Sequence, residues 1–226
     1  MNTPHPSWKL ILLIGTLVLA ALACAIPGVG GNSDGSLYRD DFSSDRTNWG
    51  IGTDSDSSVE YSQSGLQFVV YTTNYFTWSN PGIEKDFENI HIEATVKNIS
   101  SDPNAAFGLV CHQQVTDSAH YYLAVTPNGQ YAIAKAAVAQ QDVFLTNNDQ
   151  WGDSDLIPLE AETYQIGADC GNGTLTLYVN GQQIASVTDS TYAKGEVGLF
   201  AWSADVASGT LFVFDDFVVT PLSQGQ

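Results

Sequence analysis

The chain has 226 residues, with 7 Lys or Arg against 25 Asp or Glu and a formal net charge of −18 at pH 7. That balance excludes functions needing a basic surface, because nucleic acids and anionic lipid surfaces are polyanions and are repelled. One Met, ten Tyr, ten Phe and five Trp, together with 20 Gly, favour strands and turns over helices.

Residues 1–7 are polar, and Lys9 is the only basic side chain before Arg39. Residues 10–23 (LILLIGTLVLAALA) are apolar and uncharged, ending in small side chains directly before Cys24. A positive start, a short apolar core and a small-residue cleavage site form an export signal, here over 1–23. The junction resembles the lipobox of bacterial lipoproteins. That resemblance implies cleavage before Cys24, a diacylglycerol on its thiol and an extracytoplasmic, membrane-anchored protein. Ordinary secretion and an uncleaved anchor are the other two readings, although the apolar run is shorter than the ~20 residues that cross a bilayer. Cleavage leaves 203 residues with a formal charge of −19.

Residues 24–36 (CAIPGVGGNSDGS) lack apolar periodicity and read as a flexible tether reaching about 20 Å. Strands are then predicted over 37–42, 59–61, 66–75, 90–96, 106–114, 121–126, 130–135, 163–170, 174–179, 183–187, 197–202 and 210–219. Turn signals separate them: Ser64-Gly65, Pro127-Asn128-Gly129, Gly171-Asn172-Gly173 and Asn180-Gly181. Residues 146–158 form a long polar loop, and 222–226 a tail. Eleven or twelve short strands with no helical periods between them predict one all-β domain over 37–221, an antiparallel two-sheet sandwich.

With Cys24 assigned to lipid, Cys111 and Cys170 remain. Phe107, Leu109 and Cys111 alternate on one strand face, and Tyr164, Ile166, Ala168 and Cys170 on another. Both cysteines thus point with the apolar set, and in an exported chain they are expected to be bridged. Two buried free thiols are the alternative.

Further residues carry a family resemblance. Asp40-Asp41-Phe42 and Trp49 come early, followed by Phe107-Gly108-Leu109-Val110-Cys111, Tyr121-Tyr122-Leu123 and Gly129-Gln130-Tyr131-Ala132-Ile133-Ala134-Lys135. Leu175-Thr176-Leu177-Tyr178-Val179-Asn180-Gly181, Gly195-Glu196-Val197-Gly198-Leu199 and Phe214-Asp215-Asp216-Phe217 complete the series. In this order they resemble the concanavalin A-like jelly-roll superfamily, nearest the bacterial 3-keto-disaccharide hydrolase-type and laminin-G-like domains. The resemblance covers about residues 37–220. It implies a jelly roll whose relatives include lectins, glucanases and adhesion modules, and fold alone does not choose among these.

Three constellations could carry chemistry. Glu84, Asp86 and Glu88 would share one face of a strand, resembling the Glu-x-Asp-x-Glu of family-16 glucanases. Lys85 stands where that motif is aliphatic, so a charged edge is the expectation and no catalytic residue is assigned. Asp40, Asp41, Asp215 and Asp216 would meet if the terminal strands pair. One structural Ca²⁺ could offset their repulsion, as the superfamily often carries one. Asp149, Asp153 and Asp155 lack the Gly and Glu of a calcium loop and read as solvated. The aromatic residues are the stronger clue, because sugars lay C–H faces on rings. Trp78, Tyr122, Trp151 and Trp202, with His112 on the face opposite Cys111, are the candidate ligand-binding residues. His112 and His120 alone do not make a zinc site.

The resulting expectation is a lipid-anchored, extracytoplasmic, non-catalytic sandwich that binds a polysaccharide, cell-surface glycan or other surface partner, and no nucleic acid. A glycoside-acting hydrolase of the 3-keto-disaccharide or glucanase type is the first alternative. A structural module of the cell envelope is the second.

Overall fold

The computed structural model describes residues 35–45, 48–62, 64–206 and 209–222. The expected export signal, Cys24, the tether as far as residue 34 and tail residues 223–226 lie outside the described residues. Within them the protein is all β, and every strand pairing is antiparallel.

Sixteen strands follow in chain order among the described residues. The first six are β1 (Tyr38–Asp40), β2 (Gly52–Thr53), β3 (Ser57–Ser62), β4 (Gly65–Val70), β5 (Phe76–Ser79) and β6 (Ile90–Asn98). Then come β7 (Ala106–Gln113), β8 (His120–Val125), β9 (Gln130–Ala136), β10 (Val143–Phe144) and β11 (Gly152–Asp153). The last five are β12 (Thr163–Gly171), β13 (Thr174–Val179), β14 (Gln182–Thr188), β15 (Glu196–Trp202) and β16 (Thr210–Pro221). The first sheet runs β14-β13-β12-β6-β16-β4-β3-β2, with β1 also on β16. The second runs β10-β9-β8-β7-β15-β5, with β11 also on β9.

Local chemistry sets the connections. Asn172-Gly173 and Asn180-Gly181 have φ of 53°, 70°, 50° and 74°. Two consecutive positive φ angles make the turn whose twist matches flanking strands, which is why Asn-Gly occupies it. The strand expected over 66–75 ends at Val70, and a separate strand, β5, begins at Phe76. The chain leaves the first sheet after Val70 and passes Asn74 at φ 52°. It then joins the edge of the second sheet as β5, beside β15. This crossing places Phe76 and Trp78 on the same sheet as Tyr122.

The core lies between the sheets. Strand β6 alternates buried and half-buried residues along Ile90, Ile92, Ala94 and Val96, while Phe107, Tyr164 and Phe212 meet across the interior at ring distances of 5.1 and 4.9 Å. Two bulges reset the alternation. On β16 the register against β6 shifts between Asp215 and Val218, with Asp216 at φ 51°. The extra residue lets both Phe214 and Phe217, three apart, enter the core fully buried. On β7 the residues Cys111 and His112 stand opposite the single Val197, with His112 at φ 53°. Cys111 and Cys170 are disulfide-bonded with their Cα atoms 6.6 Å apart. The bridge joins β7 of one sheet to β12 of the other and ties the two layers covalently.

Candidate ligand groove

The outer face of the second sheet carries a second apolar cluster, separate from the core. Its geometry follows from register. One cross-strand row reads Trp78, Phe200, Gly108, Ala124 and Ala132 from β5 to β9. The next reads Gly198, Val110, Tyr122, Ala134 and Phe144 from β15 to β10. The middle strands thus offer Gly and Ala, while large rings stand at the sides. Small side chains between large ones leave a groove, a cavity of about 260 Å³. Gly108 is required here, since a Cβ would collide with the Phe200 ring and the Leu123 carbonyl.

The ring contacts are specific. Phe76 stacks on Phe200 at 4.7 Å, and Tyr122 meets Phe76 at 5.7 Å and Phe200 at 5.6 Å. On the opposite side Phe144 lies 6.0 Å from Trp151. Trp151 reaches back from the long polar loop and lies nearly parallel to Trp202, centroids 6.2 Å apart and planes 26° apart. Trp151, Trp202, Phe76 and Phe144 are half-buried and so keep ring surface open to a ligand.

One carboxylate lines the groove. The Tyr122 hydroxyl donates to Asp142 Oδ2 at 2.9 Å. Burial, and then the adjacent Asp142 charge, push the Tyr122 pKa far above its ordinary value, so the phenol stays protonated and donates. Asn74 lines the groove as well, its amide donating to Asp205 at 3.3 Å. Beside these, His120 is buried with its ring 5.8 Å from Phe76 and 6.2 Å from Tyr122. Its Nδ1 contacts the Ser118 carbonyl at 2.7 Å, and its Nε2 has no hydrogen-bond partner.

Burial pushes the His120 pKa down, outweighing the Ser118 carbonyl and Asp142, which act upward. A lowered folded-state pKa means the unfolded chain binds the proton more tightly. Stability from this site is therefore complete above the ordinary value near 6.5 and falls as the pH drops below it. His91 has the opposite sign. Its hydrogen bond to Asp169 at 2.6 Å raises its pKa, so its contribution is present in acid and lost as pH rises. The melting temperature of His120→Gln should therefore fall less than wild type between neutral and mildly acidic pH. Parallel pH profiles would refute the assignment.

Not every expected residue joins this groove. Tyr122, Trp151 and Trp202 converge, but Tyr122 is only 5% exposed and is a supporting wall instead of an open platform. Trp78, 40% exposed, lies beyond the rim, tilted 6.1 Å from Phe76. His112 is elsewhere altogether. The bulge on β7 turns it off the outer face, where it is buried against Tyr121. Both its ring nitrogens are occupied, by the Tyr192 and Glu88 carbonyls at 2.9 and 2.8 Å. Asp142, Phe144 and Asn74 had no sequence signal, because the two-residue strand holding Phe144 is too short to show periodicity.

The acidic constellations are also placed. Glu84, Asp86 and Glu88 are exposed on a segment outside the named strands, none lines the groove, and Asp86 pairs with Lys194 at 2.7 Å. The terminal strands do pair, Asp40 lying opposite Phe217. Asp40 spends its oxygens within the protein, accepting Trp49 Nε1–H at 2.7 Å and the Phe42 amide at 2.9 Å. Asp41 caps the Ser43 amide and Asp215 the Asp216 amide. Burial raises the Asp215 pKa, and Asp216, Asp41 and Asp40 add to it despite the Asp216 amide. Ca²⁺ takes 6–8 oxygens, and among the described residues no three His, Cys, Asp or Glu side chains form a metal-holding group.

An antiparallel two-sheet jelly-roll sandwich with an aromatic groove on the outer face of one sheet is the class this chain defines. Carbohydrate-binding module CBM66 from Bacillus subtilis superposes with a TM-score of 0.59 at 13% identity, over 77% of this chain and 96% of that one. A galectin-like protein of unknown function from the same organism gives 0.60 at 14%, over 82% and 96%. Bacillus licheniformis beta-glucanase gives 0.53 at 11%, over 85% and 100%. No family model and no curated protein sequence matches the chain. At such identities the likeness establishes the fold and leaves the ligand to the groove itself.

Proposed function

We propose that the protein is a lipid-anchored, extracytoplasmic glycan-binding module without catalytic activity. The observation that carries binding is the groove: open faces of Trp151, Trp202, Phe76 and Phe144 around the small side chains of Ala106 and Ala124. Flat apolar rings beside polar Asp142 and Asn74 suit a sugar, which offers C–H faces and hydroxyls together. Glycoside hydrolysis needs two carboxyl groups about 5–5.5 Å apart or about 6.5–9.5 Å apart across the scissile bond. Asp142 is the single carboxylate among the described groove-lining residues, and that favours binding over hydrolysis. A glycan array is the direct test. Binding of a defined polysaccharide with no release of shorter sugars is the expected result. No binding across a broad panel would leave a structural role, and sugar release would make the protein an enzyme.

The location rests on residues 1–24, and the Cys111–Cys170 bridge supports an oxidising compartment. Cys24→Ser should free the protein from membranes or leave an uncut precursor. A variant that fractionates and migrates as wild type does would overturn the anchor. A calcium ion at the terminal strands stays a proposal on Asp41, Asp215 and Asp216 alone. An ion bound only by the folded state raises stability by mass action, so chelator should lower the melting temperature. An unchanged curve removes it.

A further inference from the structure

We propose that the groove selects glycans carrying free ammonium groups, such as de-N-acetylated amino-sugar polymers, over neutral or acidic glycans. This rests on the glycan-binding reading and names its ligand class. The argument is one of charge set beside aromatic rings. Asp142 faces the groove, and its hydrogen-bond partner there is a neutral phenol, not a cation. Two further carboxylates touch groove residues: Asp205 accepts from the Asn74 amide, and Asp149 accepts the Phe144 backbone N–H at 2.8 Å.

No described basic side chain offsets them. Lys135 turns to the other face of its strand and pairs with Asp189 at 2.8 Å, and Lys194 pairs with Asp86. Lys85 lies over the Phe87 ring, Arg39 sits on β1 and Lys97 on β6, both in the other sheet. Among the described residues no Lys or Arg lines the groove. The remaining titratable neighbour, His120, has its pKa pushed down by burial, which disfavours its charged form.

Half-buried carboxylate charge left uncompensated is costly, and a bound cation relieves it. Ring faces attract cations by their quadrupole, Trp most strongly, and Trp151 and Trp202 present two such faces to the same cavity. A neutral sugar uses the rings and leaves the charge unanswered. An acidic sugar meets repulsion both here and from the chain's net charge of −18. The ligand that answers both features is an amino sugar with its nitrogen unacylated.

The test compares matched oligosaccharides by isothermal calorimetry on the full chain in detergent: glucosamine trimer, N-acetylglucosamine trimer and cellotriose. The pH is set at about 5.5, above the ordinary carboxylate range near 4. Glucosamine trimer should bind about tenfold more tightly than either neutral trimer, and added salt should shrink the difference. Asp142→Asn keeps an oxygen for the Tyr122 hydroxyl, so the fold should hold, and binding of the glucosamine trimer should fall far more than binding of the neutral trimers. The variant's preference for the amine should collapse. Equal or tighter binding of a neutral trimer by wild type would overturn the inference and leave glycan binding standing. A preference that survives Asp142→Asn would mark attraction to the overall acidic surface, and would also overturn it. If none of the three binds and the wider glycan panel is silent, the parent reading fails and this one with it.

Discussion

Replacing both Cys111 and Cys170 by Ala should lower the melting temperature by about 10 °C. The bridge spans a sequence separation of 59 residues, and closing a loop of that size removes chain entropy worth about 4 kcal/mol from the unfolded state. For a domain of this size each kcal/mol moves the midpoint by about 2–4 °C. The geometry adds a second reason for a large effect, because this disulfide crosses between sheets while every backbone hydrogen-bond ladder stays within one. Both sulfurs are fully buried in the core, so mild reductant should leave the native bond intact until the protein unfolds. Differential scanning calorimetry of the double variant reads the shift, and mass spectrometry of non-reduced peptides reads the linkage. A midpoint within about 2 °C of wild type, or two thiols alkylated without reductant, would refute it.

Trp151→Ala and Trp202→Ala should each weaken binding of the cognate glycan by at least tenfold, and together by more than a hundredfold. Truncating an aromatic anchor at the centre of a site costs about 2 kcal/mol or more, which is over tenfold in affinity. The two rings stack on one another with centroids 6.2 Å apart, so a ligand laid along their open surfaces loses both in the double variant. Either ring is half-buried, and its loss should disturb the sandwich far less than the loss of a core Phe. Trp78→Ala is the control. That ring lies outside the groove and is 40% exposed, so binding should change little. Equal effects from all three substitutions would refute the groove as the binding surface.

Much of the architecture was legible because strand chemistry is local. Alternation along 90–96, 121–126 and 163–170 assigned faces that the structure keeps, with Ile92, Tyr121 and Ile166 in the core and Tyr122 on the outside. Asn-Gly turns marked two hairpins because few other pairs tolerate two consecutive positive φ angles. The pairing of Cys111 with Cys170 followed from the same alternation.

Alternation fails where a bulge inserts one residue. His112 was expected outward by counting from Cys111, yet the bulge against Val197 turns it onto Tyr121. Asp216 and Phe217 change phase for the same reason. A bulge forms only when a partner strand sets the register, so one strand read alone does not show it. The crossing between β4 and β5 is of the same kind: an apolar run looks continuous whether it stays in one sheet or moves to the other.

The sequence by itself determined the composition-driven choice of strands, the inward face of the stretches without bulges and the hairpin turns. Residues 1–24 likewise carry the whole of the export and lipid-anchor expectation. The groove was decided by tertiary structure alone. Its small residues, Ala106 and Ala124, come from two adjacent strands, its walls come from β5, β15, β10 and a loop, and its carboxylate lies between β9 and β10. These residues are far apart in the chain, and although Tyr122, Trp151 and Trp202 stand out as aromatic candidates, nothing local joins them to Asp142, Phe144 and Asn74. Cross-strand register and packing bring them together, and those depend on every other strand in the sheet.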